Sequence, residues 1–383
     1  LKLLFKMVYR IGIVGAGHWS RRLNMGIKED QPLEIHKTVD VLTYDQKKEL
    51  LQDLEISRDR HYRIEAGDPL PDDFFDGLDV VQIASPVEYH RQQTLESLEQ
   101  GVLTITEKSY GANRDEFDEV MDYIGSNDLW NSSYLHLHYL KKLLTMEMPS
   151  VVSHAVEEYG EVERVEATFI EEWSEEDERR SWLFNPDNGG VFLDWIHPIE
   201  VLASCSAEFT KLLDGDGYLV APSYTDEYAT AARAEYAVEG DLFAEDARAT
   251  VRVGKGFDDG TTHKVMRFVF DDAYLDFEYA SSEREFETDY RGEWVLKNGD
   301  GDVVDRSKPR GPIPYYFLIR EVQEALEGGE TPLDEDAIRR MYEPVWMFNE
   351  QVGMETPVRD ENEIESFVAE AVNTTSNGKP VRR

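Results

Sequence analysis

YRIGIVGAGHWS, residues 9–20, decides how the first part of this chain is read. A short run rich in β-branched residues ends at Gly15-x-Gly17-x-x-Ser20, and the pattern turns helical beyond it. Glycines at this spacing permit a tight turn and a close approach of backbone to a pyrophosphate. The helix that follows offers free amide donors and the positive end of its dipole. Ser20 stands where a third glycine or an alanine is usual. In this strand–turn–helix setting Gly15, Gly17, His18, Trp19 and Ser20 are candidate dinucleotide contacts, and a purely structural turn is the plainer alternative.

Outward from this turn, residues 7–131 alternate strand and helix. Strands are expected at 9–15, 35–43, 79–85 and 102–107, and helices at 19–28, 46–54, 89–100 and 113–126. Such alternation implies a parallel sheet covered on both faces. The second strand is expected to end at Thr43, with Asp40 and Asp45 nearby. A carboxylate at that place grips the ribose hydroxyls and repels a 2′-phosphate, whereas a threonine does neither strongly. With Thr43 as the candidate contact, NAD and NADP both stay open.

Past residue 131 the period changes. Residues 162–173 alternate apolar and polar, and 228–238, 247–254, 264–270 and 274–280 do the same between Gly/Asp turns. Period-two runs of this kind read as an antiparallel sheet with one wet face. Helices are expected at about 190–204, 314–327 and 334–350. The organisation that follows is a dinucleotide-binding domain over 1–131 and an α+β domain for substrate binding and oligomerisation over 132–370. Residues 371–383 form a polar tail.

Composition limits the function classes. The chain carries a net charge of −39, and the acids recur along its whole length, as in DDFFD and EEWSEEDE. With 41% hydrophobic residues among 383, this is a folded protein with an acidic shell and not a disordered acidic chain. An acidic shell suits a cytoplasm of high salt, where counter-ions screen self-repulsion, so a halophilic protein is expected. Nucleic-acid binding is excluded, because phosphate contacts need a basic surface. No apolar run is long enough to span a bilayer, the opening LKLLFKM is too short for a signal peptide, and Cys205 is the single cysteine. A cytoplasmic protein with no membrane partner and no metal is expected.

Four segments come in order: Gly15-Ala16-Gly17, IASPVEYH (83–90), TEK (106–108) and NPDNGGVFLDWIHPIEVL (185–202). Over residues 8–205 the chain resembles the glucose–fructose oxidoreductase/inositol dehydrogenase (Gfo/Idh/MocA) family, and GGETPLDEDAIRRM (328–341) resembles that family's ending. The resemblance implies an α/β protein. An N-terminal Rossmann domain, with a doubly wound parallel sheet, is followed by an α+β domain with an open-faced, mostly antiparallel sheet. It implies NAD or NADP as coenzyme, with Ser85, Pro86, His90 and Glu107 among its contacts. It places Lys108 beside the nicotinamide and the reacting hydroxyl. An ammonium there lowers the cost of a developing alkoxide as hydride leaves; pairing with Glu107 or a sheet-end carboxylate is the alternative. Ser109 stands where the family has proline.

Asp194 and His197, three apart, fall on one face of a predicted helix. A histidine with a positioned carboxylate can accept a proton. The family's usual spacing is four, so either Asp194 or His197 could be the acceptor, and simple local pairing is the alternative. A fainter resemblance links TEKSYG and His138-Tyr139-Leu140-Lys141-Lys142 to the EKPFG and HYLGK segments of glucose-6-phosphate dehydrogenases. It implies that His138, Tyr139 and Lys142 grip a sugar phosphate; the alternative is an amphipathic helix start with lysines in water. Trp19, Trp195 and Tyr110 could wall a sugar pocket or could simply be packing.

The reading is an NAD(P)-dependent oxidoreductase that moves hydride between a sugar or sugar-phosphate hydroxyl or carbonyl and nicotinamide. Its rivals are a non-catalytic sugar or nucleotide sensor on the same fold, and a reductase of a non-sugar carbonyl or imine such as a tetrapyrrole or nitrogen heterocycle. A large apolar face on the open sheet would call for a homodimer or homotetramer. From the acidic shell, dialysis into low salt is expected to abolish the cooperative melt; a melt that stays cooperative and unshifted without salt overturns the halophilic reading.

Overall fold

The computed structural model describes residues 8–17, 20–21, 23–24, 27, 32–135, 142–188, 190–258, 260–278, 293–307, 314–329, 335–352 and 356–373. The chain forms two compact units, 1–140 with 312–335 and 141–311 with 336–383.

In the first unit β1 (Tyr9–Val14), β2 (Leu33–Asp40), β3 (His61–Arg63), β4 (Val80–Ile83), β5 (Leu103–Thr106) and β6 (Ser133–Leu135) form one parallel sheet in the order β3-β2-β1-β4-β5-β6. The central strands β1, β4 and β5 are buried along most or all of their length because helices and loops cover both faces. Ile11, Ile13, Val80 and Ile105 fill one face, and Val14, Val39, Val81 and Ile83 meet Phe74 on the other. The helix Arg114–Ser126 buries Phe117, Val120, Met121 and Ile124, the i, i+3, i+4, i+7 stripe of one helix face. Its start is fixed by Asn113, whose side chain accepts from the Glu116 amide at 3.0 Å. Strand order reverses between β1 and β4, so a crevice opens at the carboxyl ends of these strands.

Ile319 and Val322, on the helix Pro314–Leu326, belong to this core. The first unit is therefore not the contiguous 1–131 expected from the sequence. The chain returns to it at 312–335, and the first break falls at 140.

The second unit holds β7 (Val162–Glu172), β8 (Glu208–Tyr218), β9 (Ala231–Glu239), β10 (Phe243–Phe257), β11 (His263–Val269), β12 (Ala273–Glu278), β13 (Glu293–Asn298) and β14 (Val303–Ser307), ordered β14-β13-β12-β11-β7-β10-β9-β8. Among the described strands of this sheet β7 and β10 are the parallel pair; the other pairs are antiparallel. The expected α/β architecture, a doubly wound sheet and then a mostly antiparallel one, is the one observed. The helix expected over 190–204 is a 3-10 turn, Gly190–Asp194, followed by the α-helix Ile196–Ser204. Helices Lys142–Tyr159 and Glu361–Asn373 and strands β8, β13 and β14 were not foreseen.

Register decides which side chains share a face. Ala167 lies opposite Val251 and Met266, and Phe169 opposite Val253, so one face is apolar. Trp195 is fully buried against Phe348, with ring centroids 4.9 Å apart. Its indole donates to the Tyr236 hydroxyl at 2.7 Å, which donates to the Pro344 carbonyl at 2.8 Å. This satisfied polar chain ties the helix Glu335–Gln351 to the sheet, and each such aromatic buries about 2–3 kcal/mol of apolar surface. Trp195 is thus packing and not a sugar wall. Tyr110 is also fully buried, its hydroxyl 2.8 Å from that of Ser133.

The other face differs from expectation. It carries Arg164 with Glu166 at 3.0 Å, Arg248 with Glu235 at 2.9 Å, and Asp276 with Arg267 and Lys297 at 2.5 and 3.2 Å. At its β8–β9 end Phe367 covers Tyr218, with rings stacked at 4.3 Å. Ion pairs occupy the ground where a large apolar surface was expected. No described helix is long and apolar enough to cross a membrane.

Candidate active site

Gly15 follows β1 with φ +82°, and a Cβ there would lie 2.6 Å from the Ser85 amide nitrogen. Glycine is thus required both by the left-handed turn and by the contact with the loop after β4. Among the described residues a Cβ on Gly17 would meet only the Gly15 carbonyl, at 4.0 Å, which leaves room above the turn. The Ser20 hydroxyl accepts from the Gly17 amide at 2.8 Å and donates to the Gly17 carbonyl at 2.7 Å. It is fully buried and serves the turn itself. His18 and Trp19 lie outside the described residues.

β2 ends at Asp40, three residues before Thr43. Thr43 sits in the following turn and donates to Gln46 Oε1 at 2.8 Å. The acid at the strand end is Asp40, 7% exposed. One of its oxygens accepts from the Leu42 amide at 2.8 Å, and the other pairs with Lys47 Nζ at 2.6 Å. Lys47 also donates to the Ala16 carbonyl in the glycine turn. The turn's open surface, the carboxylate and the ammonium fit a dinucleotide. Asp40 offers a partner for ribose hydroxyls and Lys47 one for a 2′-phosphate, so NAD and NADP both fit.

Ser85 and Pro86 follow β4, and Pro86 opens the 3-10 turn Val87–Tyr89. Ser85 donates through its hydroxyl to Gln93 Oε1 at 2.5 Å. His90 is buried, with Nε2 2.7 Å from the Ser85 carbonyl and Nδ1 2.7 Å from the Ser109 carbonyl. A neutral imidazole donates to only one of the two carbonyls, and burial favours that neutral form. The His90 pKa is lowered by burial, which outweighs the opposing pull of the Ser109 and Ser85 carbonyls and the Glu107 carboxylate. His90 braces the loop that carries Lys108. Glu107 is buried, its amide donating to the Ile83 carbonyl at 2.9 Å. Lys108 comes next, half-buried, and its peptide bond to Ser109 is cis.

The second unit brings Asp194 and His197 together, with Oδ1 3.8 Å from Nε2. The histidine ring stacks on Phe169 of β7, centroids 6.3 Å apart. The other Asp194 oxygen lies 3.6 Å from Lys255 Nζ. Lys255 pairs with Glu171, directly opposite it in the β7–β10 register, and Glu171 takes Lys264 of β11 at 2.7 Å. Burial alone would raise the Glu171 pKa, but the Lys255 and Lys264 ammonium groups hold it down at about 2. Burial would likewise discharge Lys255, and Asp194, Glu171 and Asp177 instead raise its pKa and keep it charged.

Glu171, Lys255 and Lys264 were missed from the sequence. The signal was the polar end of one apolar face shared by three strands, and only the register reveals that these ends meet. Of the anion-clamp candidates, His138 and Tyr139 lie outside the described residues; Lys142 begins the helix Lys142–Tyr159, and its side chain is outside them too. Among the described residues no group of three or more His, Cys, Asp or Glu side chains could hold a metal ion.

No family model matches the sequence, and no curated protein matches it. Solved structures do. The chain is similar to a UDP-N-acetylglucosamine 3-dehydrogenase from Acidithiobacillus ferrooxidans at 16% identity and TM-score 0.63, covering 91% of this chain and 99% of that one. It is similar to a 3-ketoreductase from Actinomadura kijaniata, in complex with TDP-benzene and NADP, at 14% identity and TM-score 0.70, covering 90% and 98%. It is similar to a myo-inositol 2-dehydrogenase from Lactobacillus plantarum at 15% identity and TM-score 0.65, covering 92% and 99%. At these identities the likeness shows a shared fold.

The Glu171 ion pairs set a pH dependence. A carboxyl held down in the folded state stabilises fully above its unfolded value of 4.5, and that stability is lost as pH falls towards about 2. With the side chain 33% exposed, solvent screening limits the effect to about 1–2 kcal/mol. Denaturant unfolding of the parent and Glu171→Gln should therefore differ by a constant amount near neutral pH, with the gap closing between about pH 4.5 and 2. A gap unchanged down to pH 2 contradicts the ion-pair account.

Proposed function

We propose that the chain is an NAD(P)-dependent oxidoreductase acting on a hydroxyl or carbonyl of a sugar or sugar phosphate. The observation that carries this reading is the Asp194–His197 pair. One carboxylate oxygen faces the imidazole and the other faces a charged lysine. A fold kept only for binding has no need of a carboxylate held against an imidazole, which weighs against the sensor reading. The nicotinamide coenzyme, when bound, supplies the two-electron hydride exchange. Gly15, Gly17, Asp40 and Lys47 would hold its adenosine half, with Ser85, Pro86, His90 and Glu107 shaping the neighbouring strand ends. Lys108 would polarise the substrate oxygen, and the Asp194–His197 pair would take or return its proton.

Sugars are favoured over other carbonyls or imines because structures of this fold include a UDP-N-acetylglucosamine dehydrogenase and a myo-inositol dehydrogenase. His138, Tyr139 and Lys142 remain the proposed grip on a substrate phosphate. The expected setting is a salty cytoplasm, and a homodimer or homotetramer would have to use the ion-paired sheet face, since ion pairs stand where an apolar face was expected.

A coenzyme-reduction screen in molar salt, over sugars, sugar acids and sugar phosphates, should find turnover with NAD or NADP. Lys108→Ala should lower kcat by about 10²–10⁴-fold while coenzyme still binds; activity near the parent's removes Lys108 from the chemistry. No turnover across the panel, with coenzyme bound, favours the sensor. Light scattering in the same salt should give a dimer or tetramer mass, and a monomer mass rejects the assembly.

A further inference from the structure

We propose that Lys255 is a positioning residue for the proton-transfer pair: it holds the Asp194 carboxylate charged and oriented, so that His197 and not Asp194 receives the substrate's proton. This rests on the oxidoreductase reading.

The geometry is a relay of alternating charge across one unit. Lys264 meets one oxygen of Glu171 and Lys255 the other. Lys255 then reaches Oδ2 of Asp194 at 3.6 Å, and Oδ1 of Asp194 reaches Nε2 of His197 at 3.8 Å. The order is set by β-sheet register. Glu171 and Phe169 are two apart on β7, so they share a face; Lys255 of β10 lies opposite Glu171, and Lys264 of β11 opposite Phe169. Phe169 stacks on the imidazole, so the strand that anchors Lys255 also seats the histidine.

Charge accounting separates the two possible acceptors. Two ammonium groups, Lys255 and Lys264, face two carboxylates, Glu171 and Asp194, and Asp177 adds a third carboxylate acting on Lys255. A carboxylate that shares its charge with an ammonium is a poorer base, and carboxylates start more than two pH units below imidazole. Lys255 cannot itself be the acceptor, because the carboxylates around it keep it protonated. The imidazole is the group matched to proton transfer near neutral pH. In the oxidation the substrate O–H bond breaks and its proton goes to His197. The electron pair left on oxygen closes the C=O bond as the carbon-bound hydrogen leaves, with its own pair, to the oxidised nicotinamide coenzyme.

The test needs no substrate. The His197 signal is followed by NMR in coenzyme-free protein carrying ¹³C-labelled histidine, and is assigned by its loss in His197→Gln. Lys255→Met removes a cation that competes for Asp194, so the His197 titration midpoint should rise by about one pH unit, a tenfold gain in proton affinity. Lys255→Arg should restore the parent midpoint to within about 0.3 unit. Glu171→Gln, which leaves more of the Lys255 charge on Asp194, should move the midpoint the opposite way; this variant decides the matter if Lys255→Met fails to fold. A midpoint that stays put in the Met and Gln variants overturns the proposal. With an active substrate in hand, the acidic limb of kcat/KM should move with the NMR midpoint in Lys255→Met and return in Lys255→Arg. A limb that ignores the substitution rejects His197 as the acceptor. Failure to find any substrate counts against the oxidoreductase reading and is told apart from failure here, because the NMR midpoints need no turnover.

Discussion

A carboxylate at the end of an apolar sheet face requires a cation within reach, and Glu171 has two. Its pairing with Lys255 across the parallel β7–β10 register is the constraint from which the rest of the second unit's chemistry follows. The parallel pairing places the polar ends of both strands on the same side, next to the 3-10 turn that carries Asp194. If β10 slipped by one residue relative to β7, Lys255 would point to the opposite face and Asp194 would lose its cation. The apolar pairs beneath, Phe169 with Val253 and Ala167 with Val251, are what make that slip costly. Hydrophobic register thus fixes an electrostatic arrangement that the ion pairs alone could not specify.

The first unit solves a related problem with backbone groups. Gly15 brings the loop after β1 into contact with the loop after β4, and His90 joins the latter to the loop after β5 through two carbonyls. Three strand ends are locked together by one absent side chain and one imidazole. Lys47 adds the fourth, linking Asp40 at the end of β2 to the glycine turn. The crevice at the reversal of strand order is consequently a rigid rim, and a rim of this kind suits groups that must stay within tenths of an ångström of a reacting atom.

What could be read from the sequence follows local periodicity. Strands β1, β4 and β5 and the helices after them were legible because apolar runs, turn glycines and helix starts are local signals. Strand β8 was not. Its LLDGDGY reads as a turn, yet Gly215 is there because a Cβ would come within 2.9 Å of Phe348, a residue more than a hundred positions away. The helix Glu361–Asn373 was hidden because its apolar face, Phe367 and Ala371, is meaningful only against Tyr218 and Ala231. Of the residues proposed to act, Lys108, Asp194 and His197 stand in recognisable segments, whereas Lys255 sits in VRVGKGF, where nothing local marks it. Thr43 was chosen over Asp40 by a strand end placed three residues too far, the boundary error that local patterns leave open.

A chain with a net charge of −39 places some of its scarce cations where carboxylates must be removed from water. Lys47 serves the buried Asp40, Lys255 and Lys264 serve Glu171, and Arg267 and Lys297 share Asp276. Each of these pairs lies in a partly buried setting, where screening by salt is weaker than at the surface. The acidic shell responds to the ionic strength around it, and the paired interior responds far less. The two demands on charge are therefore separable: surface acids govern how the protein behaves in salt, while the few matched lysines and arginines govern the geometry of the sites. A substitution that removes one interior lysine should accordingly disturb local chemistry out of proportion to a single unit of charge, whereas removal of one surface acid should be absorbed by the many that remain.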